Sequence, residues 1–292
     1  MAHIALIWVD NIAFTRPAHL FYLVLTMSCP NCFKGSILAG EPTGTVQEHL
    51  QGAYFAPAGD TRGANKRVIV LLTDIFGLPL KNCKILADEF AKRLGCDVWV
   101  PDIFAGKPFL TPDDMKHFPR KAGQTLSVLN TARFLIKALS VLPSFVRHRA
   151  SVVDGRVVTF MNALQAERQY DKIGVIGYCF GGGMAVRLGA SSLFDSIVVV
   201  HPSPPKDADV LAIKAPTAWL LAEEDFSLSR KRVSEIEALY ADRATAEHEF
   251  ITYPGTAHGF AARPNFEYPD VKAGFEKALD DSVAWFEKTL PV

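Results

Sequence analysis

The chain carries no excess charge of either sign: 31 Lys and Arg residues are matched by 31 Asp and Glu residues. Neither nucleic acid nor an anionic membrane surface is therefore an expected partner, because both select for a basic field. A small molecule is the default ligand. Cysteine is also sparse, with an odd count of five at Cys29, Cys32, Cys83, Cys96 and Cys179. A chain of 292 residues can build a core without covalent staples, so a disulfide framework is not expected and a reducing, cytoplasmic compartment is. Long apolar runs are missing as well. The best early run, Leu20 to Leu25, falls far short of the ~20 residues that cross a bilayer. The same region offers only Arg16 as early positive charge and no A-x-A-like cleavage site before Cys29, so it makes a poor secretory signal. Finally, Cys29-Pro-Asn-Cys32 has C-x-x-C spacing, but no second C-x-x-C and no H-x-x-H follows it. Zinc would need the second pair, and a thioredoxin-type motif should open a helix after a strand. Neither a metal nor a cofactor is expected.

No repeat or low-complexity tract divides the chain, and its length suits one large domain. Residues 27–292 are read as that domain, with Met27 a candidate initiator and residues 1–26 a leader that is disordered or not native. From Val68 onward, short β-branched runs alternate with amphipathic segments, the pattern of a mostly parallel sheet covered by helices on both faces. The runs predict strands over 68–72, 97–100, 172–176, 196–200, 217–221 and 249–253. Residues 112–164 have helical spacing at Leu126, Leu129, Phe134, Leu135, Ala138 and Leu139, broken by Pro143, and read as a helical excursion between two strands. A final helix over 270–290 repeats Val271, Phe275, Leu279, Val283 and Phe286 on one face.

Chemistry concentrates at Gly177-Tyr178-Cys179-Phe180-Gly181, where an apolar strand runs through G-x-C-x-G into a helix. That is the form of a nucleophile elbow, with Cys in place of Ser. Its glycines relieve crowding around a strained central residue, and a helix N-terminus beside Cys179 favours a thiolate. Alone, the string is equally an ordinary Gly-rich turn holding a buried thiol. The partners alter that balance: in this architecture an acid and then a histidine must follow, each after a strand. Glu223, Glu224 and Asp225 follow the 217–221 strand, and His258 follows the 249–253 strand. His201, after the 196–200 strand, and Tyr178 are candidates to line a substrate pocket.

With these motifs in view, the chain resembles the dienelactone hydrolase family, and within it the fungal members. The resemblance runs from Cys29 to Leu290 through Thr73-Asp74-Ile75-Phe76-Gly77, Val100-Pro101-Asp102-Ile103-Phe104, the Cys179 elbow, Glu224-Asp225 and Ala257-His258-Gly259-Phe260. It implies an eight-stranded α/β-hydrolase fold and cofactor-free cleavage of a small ester or lactone by a Cys179-His258-Asp225 triad with a covalent acyl-enzyme. It also implies an oxyanion hole from the backbone N–H groups of Ile75 and Phe180. In the family a glutamate of the early loop holds the resting thiol; here the position is Asp74, one methylene shorter, and it is the expected thiol modulator. The family holds a substrate carboxylate with two arginines. Arg263 is the candidate for one, with one residue of extra spacing, and the other falls in the helical excursion without an assignment.

Two further readings stay open. A thiol peptidase or acyl transferase could use the same residues, and a non-catalytic binding protein could keep the fold without the chemistry. A homodimer is allowed but not required by anything in the sequence.

Overall fold

The computed structural model describes residues 36–59, 66–117, 143–241 and 247–291. The leader at 1–26, Cys29, Cys32 and residues 118–142 of the 112–164 excursion lie outside the described residues.

The protein is built on an eight-stranded sheet in the order β1-β2-β4-β3-β5-β6-β7-β8. The strands are β1 (Thr45–Gln47), β2 (Ala53–Ala56), β3 (Arg67–Leu72), β4 (Asp97–Val100), β5 (Lys172–Tyr178), β6 (Ser196–Val200), β7 (Thr217–Glu224) and β8 (His248–Ala257). β2 pairs antiparallel with both β1 and β4 at one edge, and the neighbours from β4 through β8 run parallel. This is the α/β-hydrolase fold. The main helices are α1 (Asn82–Leu94), α2 (Ala150–Arg168), α3 (Phe180–Leu188), α4 (Asp207–Ala212), α5 (Arg230–Ala241) and α6 (Pro269–Thr289).

Alternation along the strands divides the core in two, because successive side chains of a strand point to opposite faces. Ile69, Leu71, Val98, Val100, Ile176 and Val198 pack under α1 and α6 with Phe90, Trp285 and Phe286. Val68, Val70, Leu72, Trp99, Val175, Val199 and Trp219 face the other way, toward α2, α3 and α5. The two buried indoles of this second face are both satisfied: Trp99 Nε1 donates to the Tyr170 hydroxyl and Trp219 Nε1 to the Tyr240 hydroxyl, each at 3.2 Å. A strand buried on both faces reads apolar without alternation, which is why β3 runs Val-Ile-Val-Leu-Leu after Arg67.

Three strands run past the ends expected from the sequence, the 172–176 strand reaching Tyr178. The 217–221 and 249–253 runs continue to Glu224 and Ala257, because the β7–β8 pairing resumes after a register shift between Ala222 and Glu224. Such an irregularity bends a strand and re-aims the residues beyond it. Here it sets the direction in which Asp225 leaves the sheet.

Candidate active site

Strand β5 ends at Tyr178, α3 begins at Phe180, and Cys179 between them has φ 54° and ψ −109°. This backbone conformation costs an L-residue ~1–3 kcal/mol and persists only when the surroundings enforce it. The two flanking glycines show the enforcement. A Cβ on Gly177 would lie 2.2 Å from the Gly181 carbonyl oxygen, and one on Gly181 would lie 2.2 Å from that of Leu72. The turn is pinned by backbone bonds: Cys179 N–H donates to Val200 O at 3.0 Å, and Gly181 N–H donates to Thr73 O at 3.0 Å.

The thiol projects toward the ends of β7 and β8. Cys179 Sγ lies 3.0 Å from His258 Nε2, and His258 Nδ1 lies 2.9 Å from both Asp225 carboxylate oxygens. Asp225 is itself fixed, since its Oδ1 accepts from the Ser227 and Leu228 N–H groups at 2.7 and 3.2 Å. Both side chains of the His258–Asp225 pair are buried. Burial alone would pull the His258 imidazole below its ordinary value. The negative sulfur of Cys179 and the Asp225 carboxylate, with their hydrogen bonds, outweigh it and raise the imidazole to about 10. The arrangement therefore favours the imidazolium form of His258 at neutral pH.

The neighbouring acids do other work. Glu223 Oε2 accepts from Gly255 N–H at 2.8 Å and its Oε1 pairs with exposed Arg230, while Glu224 is exposed at the strand end. Neither approaches His258.

Ile75 and Phe180 sit on either side of the Gly181–Thr73 bond that ties the early loop to the elbow. Neither backbone N–H has an acceptor among the described residues.

Asp74 is placed differently from the expectation. Its Oδ1 accepts from Phe76 N–H at 3.0 Å and its Oδ2 from Arg263 Nε at 2.7 Å, with no contact to Cys179 Sγ among the described residues. Arg263 is buried, its guanidinium over the Phe76 ring at 4.8 Å. Asp74 and Arg263 thus neutralise each other.

Tyr178 and His201, both candidates for pocket lining, are buried. Tyr178 points into the core beneath α1 and α6, among Leu86, Val200, Phe275 and Ala278. His201 is fully buried, its ring 5.0 Å from that of His258 and edge-on to it. Burial, and then the nearby charges of His258 and Arg263, hold its imidazole well below the usual histidine range. Neither side chain is open to a substrate in this arrangement.

Sequence reasoning missed Phe226. It follows Asp225 directly, is 42% exposed, and sets its ring 4.7 Å from the His258 imidazole. An aromatic beside an acid is too common a dipeptide to signal this.

Among the described residues no group of three or more His, Cys, Asp or Glu side chains could hold a metal ion, and no helix is long and apolar enough to cross a membrane.

Residues 52–290 match the model of the dienelactone hydrolase family. Similar proteins include Hydrolase tropI of Talaromyces stipitatus, 27% identical over 90% of this chain and 96% of that protein. The human carboxymethylenebutenolidase homolog is 25% identical over 82% of this chain and 88% of its own length. Among solved structures, a putative dienelactone hydrolase from Klebsiella pneumoniae superposes with a TM-score of 0.57 at 19% identity, covering 80% of this chain and 91% of that one. The Pyrococcus furiosus esterase Pf2001 gives 0.54 at 13% identity, covering 81% and 87%.

Proposed function

Because the chain belongs to the dienelactone hydrolase family and is thereby a carboxylic ester hydrolase, we propose that it cleaves a small ester or lactone covalently, with Cys179 as nucleophile, His258 as acid and base, and Asp225 as its orienter. The observation that carries this reading is the continuous contact from Asp225 through His258 to the strained Cys179, at 2.9 and 3.0 Å.

The steps follow from the positions. The Cys179 sulfur adds to the substrate carbonyl carbon, and the oxygen that gains charge is met by the Phe180 and Ile75 N–H groups. One such donor is worth ~3 kcal/mol of transition-state stabilisation. Collapse breaks the carbonyl–oxygen bond, and His258 passes its proton to the departing oxygen, leaving a thioester on Cys179. Water then attacks the thioester while His258 takes its proton, and the acid leaves as the sulfur regains its charge. Asp225 holds the imidazole tautomer with Nε2 toward the sulfur. Asp74 belongs to this scheme as the anchor of Arg263 and of the loop carrying Ile75. A thiol of this kind needs a reducing setting, and the unpaired Cys83, Cys96 and Cys179 fit the cytoplasm.

Cys179→Ala should lower ester turnover by ~10⁴-fold or more while leaving the fold intact, read from initial rates and circular dichroism. Mass spectrometry of wild-type protein quenched during turnover should find a single acyl adduct on Cys179. Hydrolysis of enol-lactones and aryl esters but not peptides would separate this function from a thiol peptidase. Residual turnover within tenfold of wild type would remove Cys179 as nucleophile.

A further inference from the structure

Thr73 is a buried polar residue whose side chain the proposed reaction does not use. It is 1% exposed, and its Oγ1 has no hydrogen-bond partner among the described residues. Buried hydroxyls are bonded in the large majority of cases, so this one calls for a physical account. Thr73 extends β3 by one residue. Because successive side chains alternate between faces, it points with Ile69 and Leu71 toward α1 and α6. Tyr178 ends β5 on the same face, two residues after Ile176. Leu71 pairs with Ile176 and Leu72 with Gly177, so the next step of that parallel register sets Thr73 beside Tyr178. Burial, with no hydrogen bond contributing, pushes the Tyr178 phenol up.

Thr73 and Tyr178 line a small cavity together with Asp74, Asn82 and Cys83, and it has room for about one water molecule. Two of these side chains are already satisfied. Asn82 Oδ1 accepts from Leu38 N–H at 2.9 Å, and its Nδ2 donates to Ser36 O at 2.8 Å and Ala262 O at 3.0 Å. The Cys83 thiol donates to Leu80 O at 3.2 Å. Asp74 accepts from Phe76 N–H and Arg263 Nε, but a carboxylate offers about four acceptor positions and can take another donor. A threonine hydroxyl, a phenol and a carboxylate supply the roughly two to four polar partners that a buried water needs.

We propose that Thr73, Tyr178 and Asp74 bind one buried water, which fastens the oxyanion loop to the nucleophile elbow. Tyr178 immediately precedes Cys179, and Asp74 immediately precedes Ile75. A bridge between them fixes the distance from the sulfur to the Ile75 N–H, in addition to the Gly181–Thr73 backbone bond. The water site stands on the cavity and its polar lining. Its effect on turnover rests on the reading of Cys179 and Ile75 given above.

The sign of a stability change provides the test. Thr73→Val and Tyr178→Phe each remove a hydroxyl and nearly keep the shape. If the two hydroxyls had no partner, either change would leave stability unchanged or raise it, because an unmatched buried hydroxyl only adds desolvation cost. With the water in place, each variant should raise the unfolding equilibrium constant in urea roughly two- to tenfold. The double variant should be no worse than the weaker single one, since either change releases the same water. A single variant as stable as wild type, or a double variant that adds the two losses in full, would overturn the site. A wild-type crystal structure should show a water within hydrogen-bond reach of both hydroxyls, and clear density without one would overturn the site as well. Both single variants should also lower kcat for an ester roughly tenfold with KM nearly unchanged, because a loosened oxyanion donor acts on the transition state. Thr73→Ser, which keeps the hydroxyl, should retain kcat. Full kcat in the destabilised variants would remove the water from the oxyanion loop. If wild-type protein turns over no ester, the reading of Cys179 fails, and the unfolding and density measurements still decide the water site.

Discussion

His201 and His258 lie at the ends of β6 and β8, both almost completely buried, with ring centroids 5.0 Å apart. Their proton affinities nevertheless move in opposite directions, one to about 10 and the other well below the ordinary histidine value. Burial penalises the charge in both cases. His258 meets a carboxylate on one nitrogen and a sulfur on the other, whereas neither nitrogen of His201 has a hydrogen-bond partner among the described residues. Partners, and not depth, therefore set the charge at this end of the sheet. The difference is also self-consistent: two imidazolium ions 5 Å apart would repel by about 3 kcal/mol at an effective dielectric constant near 20, so a charged His258 requires a neutral His201.

The comparison breaks most severely at Asp225. Asp225→Asn keeps the shape of the hydrogen bond but removes the charge that supports the imidazolium, so turnover should fall by ~10⁴-fold, as in serine triads. The His258 resonance in an NMR titration should move down toward the ordinary histidine value at the same time. Glu223→Gln and Glu224→Gln should each cost little, because neither group approaches the imidazole. A severe loss in Glu224→Gln together with a mild one in Asp225→Asn would reassign the acid.

Asp74 and Arg263 supply a third case, a buried pair in which each charge answers the other at 2.7 Å. Arg263→Met would strand the Asp74 carboxylate and should cost ~3–5 kcal/mol, measured by urea unfolding. Asp74→Asn combined with Arg263→Met should recover a large part of that loss. A single variant as stable as wild type would mean that Asp74 finds water or another donor when Arg263 is gone.

The pH profile sharpens the contrast from the activity side. His258 must hold a proton to release the leaving group, and its value is raised, so the required form is present below about 10 and lost above it. The kcat/KM for an ester, corrected for hydroxide hydrolysis, should stay level from neutral into the alkaline range. It should then fall about tenfold per pH unit above the His258 value. A decline beginning near 7 would show that the imidazole lacks the support attributed to its two partners.

Much of this end of the sheet was legible in the sequence because the signals are short-range. The strands over 97–100 and 196–200 have the same bounds in the structure, and the final helix differs by a residue at each end. The elbow was readable because strand, turn and helix start fall in one short string, with Gly177 demanded by a contact to Gly181 four residues on. β1 and β2 were not foreseen. They are three and four residues long at the antiparallel edge; β1 is largely exposed and polar, and β2, though apolar, is too short a run to stand out. The fate of Asp74 was equally hidden, since its partner Arg263 lies 189 residues away. Pocket lining was inferred for His201 from its place after a strand, but whether such a side chain turns outward or inward depends on backbone direction. At His201 φ is 34°, and the ring turns in behind His258.

The smallest effect is expected at His201, and its sign is informative. A buried imidazole without a protein partner costs ~1–3 kcal/mol of desolvation, which Leu does not incur, while a shape mismatch takes back up to ~1.5 kcal/mol. His201→Leu should therefore leave stability near wild type, or slightly higher, at pH 8. The pH dependence carries the test. A histidine whose folded value is lowered binds its proton more readily in the unfolded chain, so it destabilises the protein progressively as pH falls below about 6.5. Leu at this position removes that linkage, and the advantage of His201→Leu over wild type should be larger at pH 5 than at pH 8 in matched thermal or urea unfolding. Turnover of a good ester should change only severalfold, because His258 keeps both of its partners. An advantage that does not depend on pH would mean that His201 gains a proton in the folded protein as easily as in the unfolded chain. The opposition between the two imidazoles would then disappear.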